Sequence, residues 1–278
     1  MHNSQTLGYH PGQTVIHQIN ATAKLVFFLL VSIACMTTYD TRFLLVIGIV
    51  SLGLFKWAKI KWHQISFVMK FIGFFSLLNL VTVYLFQPDY GVQLYHSQHL
   101  IWQGIGRFTI TAEELFYLLN LLLKYVCTIP LAILFLFTTN PSDFAASLNR
   151  IGVPYKISYA VSLALRYIPD IQEDFFSISQ AQQARGFEMS KKGTLKNRMR
   201  GTAQIILPLI FSSLDRIETI STAMELRRFG QKAKRTWYVQ RAFTKNDYMV
   251  ILIAVLLIVV ALGLITVNQG RFYNPFSL

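Results

Sequence analysis

Charge is what this sequence has least of. Lys, Arg, Asp and Glu supply 14% of its 278 residues, against about 25% in soluble globular domains. A wholly water-facing fold is therefore excluded. Acid is scarcer than base, with 13 Asp and Glu against 26 Lys and Arg, a formal net charge of +13. Such an excess suggests nucleic acid or a membrane surface as partner, and a hydrophobic content of 53% decides for the membrane. Cysteine is nearly absent: Cys35 and Cys127 form no CxxC pair, sit inside apolar runs and read as small core residues. No Gly-x4-Gly-Lys-Ser/Thr segment occurs, so a phosphate-cradling P-loop is absent and ATP hydrolysis by this chain is not expected. Residues 1–23 are polar, with no charged region leading into a cleavable apolar core, so no signal peptide is expected.

What is present is a set of long apolar runs. A membrane helix needs about 20 mostly apolar residues, because each adds ~1.5 Å toward ~30 Å of hydrocarbon. Residues 25–36 (extending to 38), 43–55, 67–86, 115–137 and 248–267 meet or approach this, giving five spans. The first two are short and separated by a four-residue polar turn, 39–42, which predicts a tight helical hairpin. Residues 153–168 and 205–214 are weaker candidates, containing Lys156, Arg166 and Pro208, and are placed at the membrane boundary. Lys70 lies near a span end and can snorkel. Lys124 lies deeper, with no acid in its span to pair with it; an intramembrane lysine can also mark an ion path.

Loop charge orients the spans. Loop 56–66 carries Lys56, Lys59 and Lys61, loop 87–114 only Arg107, and segment 138–245 carries seventeen of the 26 Lys and Arg. These loops agree on one topology, with the N-terminus, loop 56–66 and segment 138–245 cytoplasmic and the C-terminal tail outside. The expected organisation is a four-span membrane domain at 1–137, a cytoplasmic helical domain at 138–245, and a last span with its tail at 246–278. The fold class is all-α and polytopic.

Segment 138–245 keeps helical periodicity. Asn140 reads as the cap of a helix with Pro141 at its first position, ended by Gly152 and Pro154. A second helix is expected from about Asp170, with Asp170, Glu173 and Asp174 near its positive end and an apolar stripe of Ile171, Phe175 and Ile178. It closes at Arg185-Gly186. A third begins near Pro208, with Ile210, Leu214, Ile217, Ile220 and Met224 as its seam. The last two helix ends resemble each other. Ala181, Ala184, Arg185 and Phe187 align with Ala223, Leu226, Arg227 and Phe229 at an offset of 42 residues. Cations suit any helix C-terminus, but that does not require the same spacing of alanine and phenylalanine twice. Two similar basic tips suggest two similar docking partners.

At these residues the sequence resembles the transmembrane (T) component of energy-coupling factor transporters, the vitamin and metal importers of prokaryotes. The likeness runs over nearly the whole chain. It opens with Gly8-Tyr9-His10-Pro11-Gly12, Ile16-His17-Gln18-Ile19 and Lys24. It is strongest over 140–186, through Leu165-Arg166-Tyr167-Ile168-Pro169, and closes with Ser221-Thr222-Ala223-Met224-Glu225 and the basic tip. The resemblance implies a coupling subunit in the plasma membrane. Two cytoplasmic helices would each end in an Ala-Arg-Gly signature seated on one of two ATP-binding cassette ATPases. An apolar surface would hold a separate substrate-binding membrane protein, the S component. ATP and Mg would be bound by the ATPases, and no cofactor or metal by this chain. Ala184-Arg185-Gly186, followed by Phe187, matches the first signature. In the second, Leu226 replaces the small residue and Arg228 the glycine, with Arg227 as signature arginine, Phe229 after it and Gly230 beyond. The second helix is therefore expected to run slightly further before capping. Phe175, Ile178, Ile210, Leu214 and Ile217 are the candidates for the S-component surface.

Other classes fit less well. A secondary transporter or channel acting alone would need intramembrane charge pairs or broken helices. A membrane enzyme would need more than His96-x-x-His99, which is read as a solvated outer loop with no carboxylate beside it. Asn20-Ala-Thr22 is a glycosylation acceptor only if exported, and is placed inside.

Overall fold

The computed structural model describes residues 14–58, 60, 62–103, 108–186, 195–232, 236–239 and 241–276. The early motif at 8–12, Arg107 and Phe187 lie outside them. The described chain is helical apart from one small hairpin. Its elements are α1 (Val15–Gln18), α2 (Ala21–Thr37), α3 (Thr41–Trp57), α4 (Trp62–Phe86), α5 (Tyr90–Tyr95), β1 (Leu100–Trp102) and β2 (Ile110–Thr111). There follow α6 (Ala112–Thr138), α7 (Pro141–Arg150), α8 (Tyr155–Ala184), α9 (Leu195–Leu226) and α10 (Lys245–Val267). Asn140–Arg241 is one compact unit; the other is made by the described residues of His10–Thr139 and Ala242–Leu278.

In the membrane unit, Ile65–Phe86, Ala112–Thr138 and Lys245–Val267 are long and apolar enough to cross a bilayer, with Ala21–Thr37 a shorter apolar helix. Helices α2 and α3 have 17 residues each, at the lower limit of about 17 for a span. The polar turn between them works as a cap, because the Asp40 carboxylate accepts from the backbone N–H groups of Arg42 and Phe43.

The tight hairpin expected of α2 and α3 does not form. Helix α6 packs against both, and α10 covers α2. The core joins Val31, Ala34 and Cys35 of α2, Phe43, Leu44 and Ile47 of α3, Leu123, Cys127 and Leu131 of α6, and Ala261 of α10. Small residues line the contact of α3 with α6. A Cβ on Gly48 would stand 3.6 Å from the Cys127 sulfur, and that thiol lies 3.0 Å from the Leu44 carbonyl. Close backbone approach of this kind governs helix pairing in lipid.

The buried lysines serve helix ends. Lys24 donates to the Thr138 carbonyl, the last residue of α6, at 2.8 Å. Lys124 donates to Met36 O, in the last turn of α2, at 2.9 Å, and its Nζ lies 3.2 Å from the centre of the Tyr39 ring. Helix C-terminal carbonyls thus supply the partner that no acid in the span could.

At the other end of α6, the Glu114 carboxylate accepts the Gly91 N–H at 2.7 Å. A Cβ on Gly91 would sit 2.6 Å from the Glu113 backbone, so only glycine fits there. His99 is not a free loop histidine: its Nδ1 lies 2.7 Å from Glu113 Oε1, and its backbone N–H donates to the same carboxylate. A carboxylate fourteen residues away in sequence is brought beside it by the β1–β2 hairpin. Among the described residues no three His, Cys, Asp or Glu side chains gather as a metal site.

Candidate functional site: two arginine tips on crossed helices

Helix α7 begins as its sequence dictates, with Asn140 capping Ser142 N–H at 3.0 Å and Pro141 at the first position. It ends at Gly152, whose φ of 110° closes the helix in the left-handed region.

The two long helices begin earlier than their prolines suggested. Helix α8 starts at Tyr155 and runs through Pro169 for 30 residues. Helix α9 starts at Leu195 and runs through Pro208 for 32. The segments 153–168 and 205–214 are therefore parts of these helices rather than separate boundary elements. A proline inside a helix removes one N–H and frees the carbonyl four residues before it. For Pro208 that carbonyl belongs to Gln204, and the Gln182 side-chain amide of α8 donates to it at 3.3 Å. Pairing between the helices offsets the break.

Asp170, Glu173 and Asp174 accordingly lie mid-helix, not at a positive helix end. Asp174 Oδ2 pairs with Arg216 Nη2 of α9 at 2.6 Å, and Asp170 Oδ2 lies 3.9 Å from Arg216 Nη1. The Asp174–Arg216 and Gln182–Gln204 contacts run in opposite senses along the two chains, so the helices cross antiparallel. Each signature arginine lies eleven residues beyond the ion pair, Arg185 from Asp174 and Arg227 from Arg216. At ~1.5 Å per residue the two tips stand up to ~33 Å apart, on opposite sides of the crossing.

Both tips close on a residue of positive φ whose N–H reaches the carbonyl three residues back. At the first, Gly186 has a φ of 86° and its N–H reaches the Gln183 carbonyl at 3.0 Å. Ala184, Arg185 and Gly186 are all exposed. At the second, α9 does not run further. It ends at Leu226, the position equivalent to Ala184, and Arg228 takes the left-handed conformation at a φ of 53°. Arg228 N–H reaches Glu225 O at 2.9 Å and Phe229 N–H reaches Met224 O at 2.9 Å, a complete Schellman cap. A residue other than glycine occupies the closing position because both cap bonds are made.

Leu226 is 80% exposed, and Arg227 and Arg228 are exposed too. Phe229 instead folds back, its ring 4.7 Å from Tyr159 and 5.8 Å from Tyr155. Trp237 joins this aromatic cluster and donates to Asn149 Oδ1 at 3.1 Å. Phe229 and the half-buried Gly230 thus anchor the second tip to the start of α8. Of the apolar surface candidates, Ile210, Leu214 and Ile217 are exposed on one arc of α9 beside Ile206 and Phe211, whereas Phe175 and Ile178 are half-buried on α8. The crossing pair Asp174–Arg216 was not singled out from sequence. The 42-residue offset already aligned these two positions.

The family model described as cobalt transport protein, CbiQ, matches residues 12–238, which takes in both crossed helices and both tips. The chain belongs to this family. Similar curated proteins carry the name energy-coupling factor transporter transmembrane protein EcfT. That of Staphylococcus aureus (strain 04-02981) is 28% identical, over 93% of this chain and 98% of its own length. That of Bacillus subtilis (strain 168) is 28% identical, over 92% and 97%. That of Streptococcus thermophilus (strain ATCC BAA-250 / LMG 18311) is 29% identical, over 92% and 95%. Membership makes the chain a transmembrane, T-type component of energy-coupling factor transporters in a bacterial membrane.

Proposed function

We propose that this chain is the non-catalytic coupling subunit of an importer, passing motion from two ATP-hydrolysing partners to a separate membrane protein that captures a vitamin or other micronutrient. The observation that carries this reading is the pair of similarly capped arginine tips on opposite arms of one antiparallel crossing. Two separated basic tips suit two grooves with acidic or carbonyl-rich walls. ATP and Mg belong to the partners' sites, and coupling is then a rearrangement biased by a ligand on another chain. Ala184, Arg185, Gly186 and Phe187 form one docking tip, and Leu226, Arg227 and Arg228 the other, steadied by Phe229 and Gly230. The exposed arc of Ile210, Leu214 and Ile217 on α9, together with the half-buried Phe175 and Ile178 of α8, is the surface offered to the substrate-binding protein. The N-terminus and both tips face the cytoplasm, and the tail after α10 faces outward.

The test is purification of the complex carrying Arg185→Glu and Arg227→Glu. Both ATPases should co-purify with the unaltered chain, and the double variant should lose them or hydrolyse ATP without uptake while still inserting in the membrane. Full uptake by the double variant would refute the docking assignment. Uptake by the chain reconstituted alone would favour a self-sufficient transporter.

A further inference from the structure

The two halves of the α8–α9 crossing are related by the 42-residue offset, yet they are packed differently. On the side of the first tip the helices are joined. Gln182 donates to Gln204 O, and the neighbouring Ile205 is 1% exposed and Ser179 7%. On the side of the second tip a cleft of about 540 Å³ lies between them, walled by Leu163, Tyr167 and Ile171 of α8 and Ile217, Ile220 and Met224 of α9 and closed at its far end by Phe229, which packs on Tyr155 and Tyr159. Sequence accounts for the difference. The offset equivalent of Gln182 is Met224, which has no donor to offer a facing carbonyl. The equivalent of the buried Ile205 is Leu163, which lines the open cleft.

Between the halves stands Arg216. Asp170 and Asp174 lie one turn apart on the same face of α8, so one guanidinium fork faces both carboxylates, with the Tyr167 ring 5.8 Å from Cζ. A planar fork fixes orientation as well as distance, which a lysine would not. We propose that Arg216 is a positioning residue for coupling. It is the fixed point about which the α9 arm beyond it, residues 217–226, closes on α8 when the second tip is displaced, while the joined half moves as one body. This rests on the coupling function above. Packed helices change between discrete arrangements rather than deforming continuously, and an apolar gap beside a fixed crossing gives the second arm an alternative arrangement that the first arm lacks.

The experiment uses the complete transporter in proteoliposomes, reading ATPase co-purification, ATP hydrolysis and uptake together. Arg216→Ala should keep both ATPases bound and hydrolysing, while uptake per ATP falls roughly tenfold, the size of one lost charge-assisted hydrogen bond. Arg216→Lys should recover part of it. Then, with Cys35 and Cys127 replaced by serine, a bifunctional thiol reagent is applied to two pairs. Bridging Tyr167→Cys to Met224→Cys across the cleft should stop uptake relative to the untreated variant. Bridging Gln182→Cys to Gln204→Cys across the joined half should leave most of it. Release of the ATPases by Arg216→Ala, full coupling in that variant, a tolerated cleft bridge, or equal inhibition by both bridges would each overturn the proposal. Failure of the docking reading is distinguishable, because it appears as retained ATPases and full uptake in the Arg185→Glu, Arg227→Glu variant.

Discussion

The Ser51 hydroxyl of α3 shares its proton between the Val126 carbonyl of α6 at 3.1 Å and the Gly48 carbonyl of its own helix at 3.0 Å, and Val126 is the residue whose helical donor position is occupied by Pro130. A carbonyl released by a proline inside lipid must find another donor, and a serine on the neighbouring helix supplies one. Ser51→Ala should cost about 1 kcal/mol, the ordinary worth of one hydrogen bond. In a Pro130→Ala background the Val126 carbonyl regains its own helical N–H, so the same substitution should cost much less. A double-mutant cycle on thermal unfolding in detergent measures the difference. Equal costs in both backgrounds would show that Ser51 and Pro130 act independently.

Arg228 closes α9 at a φ of 53°, where a side chain is strained by up to about 1–2 kcal/mol relative to glycine. Arg228→Gly should therefore raise or preserve the melting temperature, and Arg228→Val should lower it, since a branched Cβ tolerates this region worst. If the charge also contributes to docking, Arg228→Gly will separate the two effects, giving a firmer cap with a weaker hold on the ATPase. Circular dichroism melting and co-purification read them independently.

The apolar runs made the membrane helices legible: 67–86 is contained in α4, 115–137 in α6 and 248–267 in α10. Runs 25–36 and 43–55 likewise fall inside α2 and α3, but the packing of these helices on α6 was not legible, because a hydropathy reading counts small contact residues such as Gly48 and Cys127 only as apolar. Pro169 and Pro208 read as breakers because local backbone chemistry says so. Helix α9 survives Pro208 because Gln182 of the neighbouring helix satisfies the carbonyl that the proline frees. The tips were legible through their repeated spacing. The reversal of Phe229 onto Tyr155 and Tyr159 was not, since it depends on residues about seventy positions away.

His17 offers a pH-dependent reading of the start of the membrane unit. Burial, and after it the positive charge of Lys24, holds its imidazole below the usual 6.5. A base with a depressed folded value binds fewer protons than in the unfolded chain between the two values. Its contribution to stability is therefore unchanged above 6.5 and falls as pH drops from 6.5 through the folded value. Histidine C2 hydrogen exchange followed by mass spectrometry should place His17 below 6.5, and Lys24→Met should move it upward. An unchanged titration in that variant would assign the whole depression to burial.

The tail after α10 is strapped to the turn between α2 and α3 and to α5. Tyr39 N–H donates to Arg271 O at 2.7 Å, and the Tyr39 and Phe272 rings stack at 4.4 Å. Arg42 donates to the Tyr273 hydroxyl, Asn268 to Asp40 Oδ2 at 2.8 Å, and Asn274 to Tyr95 O at 3.2 Å. Phe276 then seats against Tyr95 and Phe116, with ring centres 5.8 Å away in both cases. Rings that bury against one another carry most of such a contact. Deleting residues 271–278 should therefore speed amide exchange at Tyr39 and through α5, while leaving α8 and α9 unchanged. Tyr39 also lies over the Lys124 ammonium, so loosening it should spread to the end of α2, where Lys124 holds the Met36 carbonyl. Phe272→Ala should reproduce the Tyr39 part of this effect with only a small α5 part, because Phe272 also meets the Tyr95 ring edge-on at 6.5 Å while Asn274 and Phe276 keep their hold on α5. Hydrogen exchange on the two variants resolves the segments separately. Unaltered protection at Tyr39 after the deletion would mean that the strap follows this end of the unit rather than fastening it.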